Sequence, residues 1–337
     1  MMKTKINVVS LFNGMGTLRQ AFHNLGIKVN NYYSSEIKPY AIELQQHHFP
    51  DVIQVGDIRN WREWDIDWSS IDFIGSGSPC QDLSAAGKRA GINGSKSSLF
   101  FTFVDILNHI KALNPNVLFL QENVGSAAKL DVGIMSRALG VYPVRINSSL
   151  VTAQLRDRYY WSNIKTKQSL FDLVTDIPQP KDKGILLKDI ITSGEVNREK
   201  SGCLLEGTIS KHNFTDNLSD KAQKYLRSRA DKNFITLVYQ INPSKESGGK
   251  QPYMQNRVYD VKGKSLALTE CMANKIKYQT EDKIVRTVNK IEMCRLQGFP
   301  DNYCDILTTA KANSLLGDGW TLPIIEHILS YIIHDEN

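Results

Sequence analysis

From residue 6 to about 164, short apolar runs alternate with stretches whose apolar residues recur at helical spacing. INVVSLF reads as a buried strand, and GTLRQAFHNLGI as an amphipathic helix with Leu18, Ala21, Phe22 and Leu25 on one face. NNYYSSEI is a second strand, PYAIELQQHHF a helix, and DVIQVGDI a third strand with the turn after it. IDFIGSGS gives a fourth strand, SLFFTFVDILNHIKAL a long helix, and NVLFLQENV a fifth strand. YPVRINSSLV and YYWSNI close the segment as further strands. Strands alternating with helices predict the α/β class: a doubly wound, mostly parallel, Rossmann-like sheet that binds ligands at the carboxyl ends of its strands.

The rhythm breaks after residue 165. Residues 166–285 are polar, rich in Lys, Asn, Ser and Asp, with no strand–helix alternation, and INPSKESGGKQPYMQN reads as an exposed loop. Order returns at 286: RTVNKIEMCRLQGF predicts a helix stopped by Gly298 and Pro300, and GWTLPIIEHILSYII predicts another. The expected organisation is a cofactor-binding and catalytic domain over 1–165, a smaller inserted domain over 166–285, and a C-terminal segment, 286–337, that returns to the first.

Composition changes this picture little. Hydrophobic content of 41% and charged content of 23% are those of an ordinary soluble globular protein. No apolar run reaches the ~18 residues that a membrane span needs, so the expected setting is intracellular, cytoplasmic and without a membrane partner. The five cysteines, at irregular spacing, include no C-x-x-C pair, which argues against a metal site and against a disulfide framework. Charge is more informative. Of the formal net charge of +6, residues 166–285 carry +5, from 20 Lys and Arg against 15 Asp and Glu. That concentration fits either a solvated surface or an acidic partner such as nucleic acid.

Four constellations carry candidate chemistry. SLFNGMGT (10–17) puts Gly-x-Gly between a strand and a helix, which lets a ligand approach the backbone and the helix N-terminus. It lacks the third glycine of the dinucleotide fingerprint, so a nicotinamide cofactor is not favoured. Glu36, ending the second strand, suits a ribose diol, and Asp57, ending the third, suits an adenine amino group. Together they describe a cleft for an adenosyl cofactor.

Cys80, directly after the fourth strand, falls on that same edge. The basic, glycine-containing AAGKRAGINGSKSS that follows has the composition of a loop that moves and contacts phosphate. Glu122 of FLQENV brings a carboxyl to the edge, able to hold or share a proton. In QLRDRYYW, Arg156 and Arg158 alternate, which on a strand places both guanidinium groups on one face. Two such groups need anionic partners, a carboxylate, a phosphate or a base carbonyl.

These blocks resemble the cytosine-5 DNA methyltransferases, in the family's order and along the whole chain. LFNGMGT is similar to the family's F-x-G-x-G motif, GSPCQDLSAAGKRAG to its Pro-Cys-Gln nucleophile motif and loop, QENV to Glu-Asn-Val, and QLRDRYYW to Gln-x-Arg-x-Arg. RVYDVKGKSLALT resembles the close of the recognition region, RTVNKIEMCRLQGFPDNY the Arg-Leu-Gln-Gly-Phe-Pro motif, and ANSLLG the Gly-Asn-Ser-Val motif. Ser10, Thr17 and Ala312 stand where the family usually has an acidic residue, a glycine and a glycine.

The resemblance implies a class I methyltransferase fold with an inserted target recognition domain at 166–285. It implies S-adenosyl-L-methionine as methyl donor, a flipped-out cytosine in double-stranded DNA as substrate, and a monomeric protein. The catalytic residues it implies are Cys80 as nucleophile at C6, Glu122 at ring N3, Arg158 at O2, and Arg156 orienting the site. For the cofactor it implies Phe12, Gly14, Gly16, Glu36, Asp57, Pro79, Leu99 and Asn313. Two further readings stay open: an RNA cytosine-5 methyltransferase of the same fold, and a silent DNA-binding regulator. The presence of Cys80, Glu122, Arg156 and Arg158 together weighs against the last.

Overall fold

The computed structural model describes residues 5–79, 99–192, 258–260, 265–266, 277–279 and 285–334 of the 337-residue chain. The chain divides into two compact units, one made of Met1–Asn147, Asp157–Pro180 and Gly319–Asn337, the other of Ser148–Arg156 and Lys181–Asp318. The expected division at 165/166 and 285/286 differs from these limits at both ends. The expected recognition segment, 166–285, lies for the most part outside the described residues. Among the described residues no helix is long and apolar enough to cross a membrane.

The first unit is built on seven strands. In chain order they are β1 (Ile6–Leu11), β2 (Val29–Ser35), β3 (Val52–Gln54), β4 (Phe73–Ser76), β5 (Leu118–Val124), β6 (Val144–Asn147) and, after a two-residue β7 (Gln154–Leu155) of the other unit, β8 (Asp157–Ser162). The sheet order is β3-β2-β1-β4-β5-β8-β6. The pairings β3/β2, β2/β1, β1/β4 and β4/β5 are parallel, and β8 alone runs antiparallel to both its neighbours. Order reverses between β1 and β4, the switch point where a doubly wound sheet opens a crevice. The expected mostly parallel α/β sheet is therefore what the chain forms.

The central strands β1, β4 and β5 are buried on both faces by helices, the outer strands β2, β3 and β6 only in part. Val9, Leu11, Ile74, Phe119 and Trp161 share one buried cluster with Phe100, Phe103, Ile106 and Ile110 of α3 (Leu99–Leu113) and with Met135 and Leu139 of α4 (Lys129–Leu139). The alternate residues of β1 and β4 face the other way. There Phe73 meets Phe22 of α1 (Thr17–Asn24) edge to face, with centroids 5.3 Å apart. The remaining helix before β3 is α2 (Pro39–His48), with Pro39 at its first turn, where a missing N–H costs nothing.

The second unit holds β7, paired with Ser265–Leu266, and a small sheet of Val258–Asp260, Lys277–Gln279 and Val285–Thr287. It also holds α5 (Lys290–Gln297) and α6 (Thr309–Asp318). The helix expected from Arg286 onward starts four residues later. Asn289 caps α5 with a reciprocal Glu292 box, and Val285–Thr287 is taken by the strand pairing. Gly298, at φ 78°, ends α5 in the left-handed conformation, as expected. The chain then re-enters the first unit as α7 (Leu322–His334), which packs on α1. Asn24 donates to the Glu326 carboxylate across that contact at 2.5 Å.

Phe73→Ala should cost about 3–5 kcal/mol, since it removes a fully buried ring joining sheet and helix. Ile37→Ala, at an exposed position, should stay within about 0.5 kcal/mol. Urea unfolding midpoints of the two variants check the contrast.

Candidate active site

The strand registers bring the functional positions to one edge. Leu11 lies beside Ser35 and Ser76, Ser34 beside Gln54, and Ser76 beside Gln121. The residues following these strand ends are Phe12–Gly16, Glu36, Asp57 and Gly77–Pro79. Because β8 is antiparallel, its start is at that edge too, with Arg158 beside Val124.

The turn after β1 is wound tightly. Phe12 (φ 55°), Gly14 (φ 54°) and Gly16 (φ 81°) all take left-handed backbone, which glycine adopts freely and Phe12 does not. A strained non-glycine residue persists only where its surroundings over-determine it. Here a buried polar lattice does so. Asn13 accepts at its Oδ1 from Ser10 Oγ (2.7 Å) and Tyr32 OH (3.0 Å), and donates through Nδ2 to Ser34 Oγ (3.0 Å). Gln45 of α2 accepts from Ser34 Oγ and Gln54 Nε2, and donates to the Gly14 carbonyl at 2.6 Å. Burial pushes the Tyr32 phenol well up, so it stays a neutral donor. Ser10 is thus tied into this lattice.

Glu36 closes the turn. Its Oε2 accepts from the Gly14 N–H at 2.8 Å, and its Oε1 from the N–H groups of Ile37 and Lys38 at 2.7 and 2.9 Å. Asp57 caps the short helix Ile58–Glu63 and grips the Arg59 guanidinium. That hydrogen-bonded guanidinium holds the Asp57 carboxyl below the usual carboxylate range. Both carboxylates thus accept hydrogen bonds from the chain's own donors.

Beyond β4, Gln121 Nε2 and Asn123 Nδ2 both donate to Ser78 Oγ, at 2.9 and 3.2 Å, fixing the turn that leads to Pro79. Cys80 follows Pro79 directly and lies outside the described residues, as does the loop to residue 98. Leu99 opens α3 and packs, half-buried, against the main core cluster.

The densest part of the site is around Glu122, which is buried on β5. Arg158 Nε meets its Oε1 at 2.8 Å, with the two side chains only 14% and 10% exposed. Glu122 is opposite Tyr160 and Arg158 opposite Val124, so the two reach each other along the diagonal of the ladder. Arg158 also donates to the Asp157 carbonyl at 2.8 Å. Trp320 Nε1 donates to the remaining oxygen, Glu122 Oε2, at 3.1 Å. Trp320 was not anticipated from the sequence. Its partner is 198 residues away, and the chain's return to the first unit just ahead of α7 brings it there.

Arg156 has a different setting from Arg158. The chain leaves β7 and enters β8 at Arg156, with a change of pairing partner, so no continuous strand aligns the two guanidinium groups as alternation predicted. Arg156 belongs to the second unit, is buried, and donates to the Gly317 carbonyl at 3.2 Å. Nearby in that unit Gln154 donates to the Leu296 carbonyl and to Gln297 Oε1, and Gln297 donates to the Leu316 carbonyl. These glutamines tie QLR to RLQG, and sequence reading gave them no role. Asn313, on α6 of that unit, is buried with its Oδ1 lacking a hydrogen-bond partner.

Comparison with known proteins gives concordant results. The family model described as C-5 cytosine-specific DNA methylase matches residues 6–334. The chain is 26% identical to Type II methyltransferase M.HpaII of Haemophilus parainfluenzae over 342 aligned positions, covering 96% of this chain and 88% of that one. It is also 26% identical to Type II methyltransferase M1.ScrFI of Lactococcus lactis subsp. cremoris, covering 96% and 77%. Among solved structures, the Entamoeba histolytica methyltransferase EhMeth superposes with a TM-score of 0.61 at 15% identity, covering 99% of this chain and all of that one. At that identity the likeness shows the fold.

Removing one member of the buried ion pair leaves a buried charge without its partner. Arg158→Ala should destabilise by about 3–5 kcal/mol, and Glu122→Gln in the same chain should recover part of that loss. Thermal or urea unfolding of the single and double variants measures both.

Proposed function

The chain belongs to the C-5 cytosine-specific DNA methylase family, and on that premise we propose how its own residues carry out cytosine-5 methylation of DNA. The observation that carries the reading is the Glu122–Arg158 pair, buried at the same strand edge as the glycine turn and Glu36.

S-adenosyl-L-methionine is the methyl donor that fits. The left-handed turn at Gly14 and Gly16 gives a ligand access to backbone, and two carboxylates stand at the next strand ends. Phe12, Gly14, Gly16 and Pro79 would line the cofactor, with Leu99 contributing. Glu36 would hold the ribose diol and Asp57 the adenine amino group, each giving up donors of the chain to do so. Bound there, the cofactor supplies an electrophilic methyl group.

The rest falls to the chain and the base. Cytosine C5 is a poor nucleophile in the intact ring, so a covalent step is required. Addition of the Cys80 thiolate to C6 leaves an electron pair spread over C5 and N3. Glu122, holding a proton at N3, neutralises that charge and leaves C5 as an enamine carbon able to accept a methyl group. A water molecule then takes the C5 proton, and that electron pair re-forms the C5–C6 double bond and expels the Cys80 thiolate. N3 returns its proton to Glu122, which restores the neutral ring. Arg158 fixes Glu122 and offers a donor to O2, while Arg156 acts from its buried position as an orienting residue. Duplex DNA hides C6 from any side chain, so the base is flipped out, at a cost of a few kcal/mol. Residues 166–285, with their net +5, suit the task of facing phosphates while reading base edges.

Bisulfite sequencing of duplex DNA incubated with the protein and S-adenosyl-L-methionine should show protected cytosines in one sequence context. Unmodified DNA would sink the proposed reaction. Cys80→Ser should abolish methyl transfer while retaining cofactor affinity to within about threefold. Full activity in that variant would remove the nucleophile assignment. Exchange of residues 166–285 with those of a relative should change the sequence methylated and leave the reaction as it is.

A further inference from the structure

We infer that Trp320 is a positioning residue for Glu122. It fixes the carboxyl group through an indole N–H bond to Oε2 while Arg158 holds Oε1. The inference rests on the role given to Glu122 above and extends it to a residue that no motif marks.

Three observations converge. The first is the hydrogen bond itself, at 3.1 Å and to the oxygen that Arg158 leaves open. A carboxylate with one oxygen engaged still swings about its last torsion, and a second donor on the other oxygen fixes its plane. The second is the way the ring is seated. A Cβ at Gly77 would stand 2.6 Å from the indole Nε1 and 3.1 Å from Cε2, so the ring occupies the space that any other residue at 77 would fill. Gly75 adds to the seat, with the far edge of the indole 3.7 Å from where its Cβ would be. Glycines at the end of β4 thus act as a slot for Trp320.

The third is the anchorage behind it. Trp320 stands two residues before α7, whose first turn is closed by the N–H groups of Ile324 and Ile325 on the Thr321 carbonyl. Ile324, Ile325, Ile328 and Leu329 are buried, and Glu326 is bonded to Asn24 of α1. The indole is therefore placed by a rigid element, and its donor is neutral. It orders Glu122 without supplying a second positive charge, which leaves the ion pair with Arg158 as the site's electrostatic setting.

Trp320→Phe is the informative variant, since it keeps an aromatic ring in the slot and deletes the donor. With wild-type protein on duplex DNA, kcat should fall about tenfold, the scale of one hydrogen bond to a charged group. KM for DNA and for S-adenosyl-L-methionine should stay within about twofold. In a Glu122→Gln background, Trp320→Phe should bring no further loss of kcat. Loss of packing alone would instead multiply with the Glu122 defect, and that result overturns the proposal, as does unchanged kcat in Trp320→Phe.

A readout without turnover separates this role from the reaction. The chain has five tryptophans, so 15N-labelled indole groups give five resonances, with Trp320 identified by its loss in Trp320→Phe. Glu122→Gln should shift the Trp320 indole N–H and leave the other four in place. An unmoved Trp320 resonance overturns the contact. If that resonance shifts but wild-type protein methylates no DNA, it is the reaction that fails, and a positioning role in it fails for that distinct reason.

Discussion

A carboxyl group buried at the end of a strand must be met by donors, and the site is arranged around that requirement. Glu122 is buried where the sheet changes from parallel to antiparallel, and its ion partner comes from the reversed strand. A parallel neighbour of β5 would present its carboxyl end at that edge. The antiparallel β8 presents its beginning instead, just after the chain has crossed from the other unit. Arg158 reaches Glu122 only because of that reversal. Left alone, the buried charge would cost several kcal/mol, so the pair ties chemistry to topology.

The same logic governs the cofactor end of the edge. A glycine turn with three left-handed residues, one of them Phe12, is unstable by itself. It is stabilised by a lattice of uncharged side chains, Ser10, Asn13, Tyr32, Ser34 and Gln45, that leaves few buried groups there without partners. Glu36 then draws the Gly14 N–H toward β2. Preorganisation of this kind lowers the ordering cost of binding a ligand. The Ser10 hydroxyl enters that lattice without adding a charge.

Most of the fold was legible in the sequence because its central strands are buried on both faces and its strands are bounded by turn residues. INVVSLF and NVLFLQENV each contain the strand they predict, and NNYYSSEI overlaps β2, which starts one residue earlier at Val29. α4 was not, because KLDVGIMSRAL carries a central glycine, an exposed Leu130 and a buried Asp131, which blur the amphipathic pattern. The β9–β10 hairpin (Thr166–Gln168 and Leu173–Thr175) escaped for a related reason, having three residues per strand and exposed Leu170 and Phe171 at its tip. Gly14, Glu36, Asp57 and Glu122 stand along the carboxyl edge of the sheet where their strand ends suggested, and Arg158 joins them from the start of β8. Trp320's use across 198 positions was not legible, since it is written in the packing of α7 on α1, in Gly75 of β4 and in Gly77 just past that strand. Arg156 was misjudged in its setting, because alternation holds only within one strand and the chain changes partners there.

The central claim is that cytosine methylation here passes through a bond between Cys80 and ring C6. Duplex DNA carrying 5-fluorocytosine at the target position tests it directly, because fluorine cannot leave C5 as a proton does and the adduct cannot collapse. After incubation with S-adenosyl-L-methionine, a denaturing gel should show one protein–DNA species, and peptide mass spectrometry should place the modified base on Cys80. Methylation of ordinary cytosine with no trapped species, or an adduct on another residue, would contradict the account.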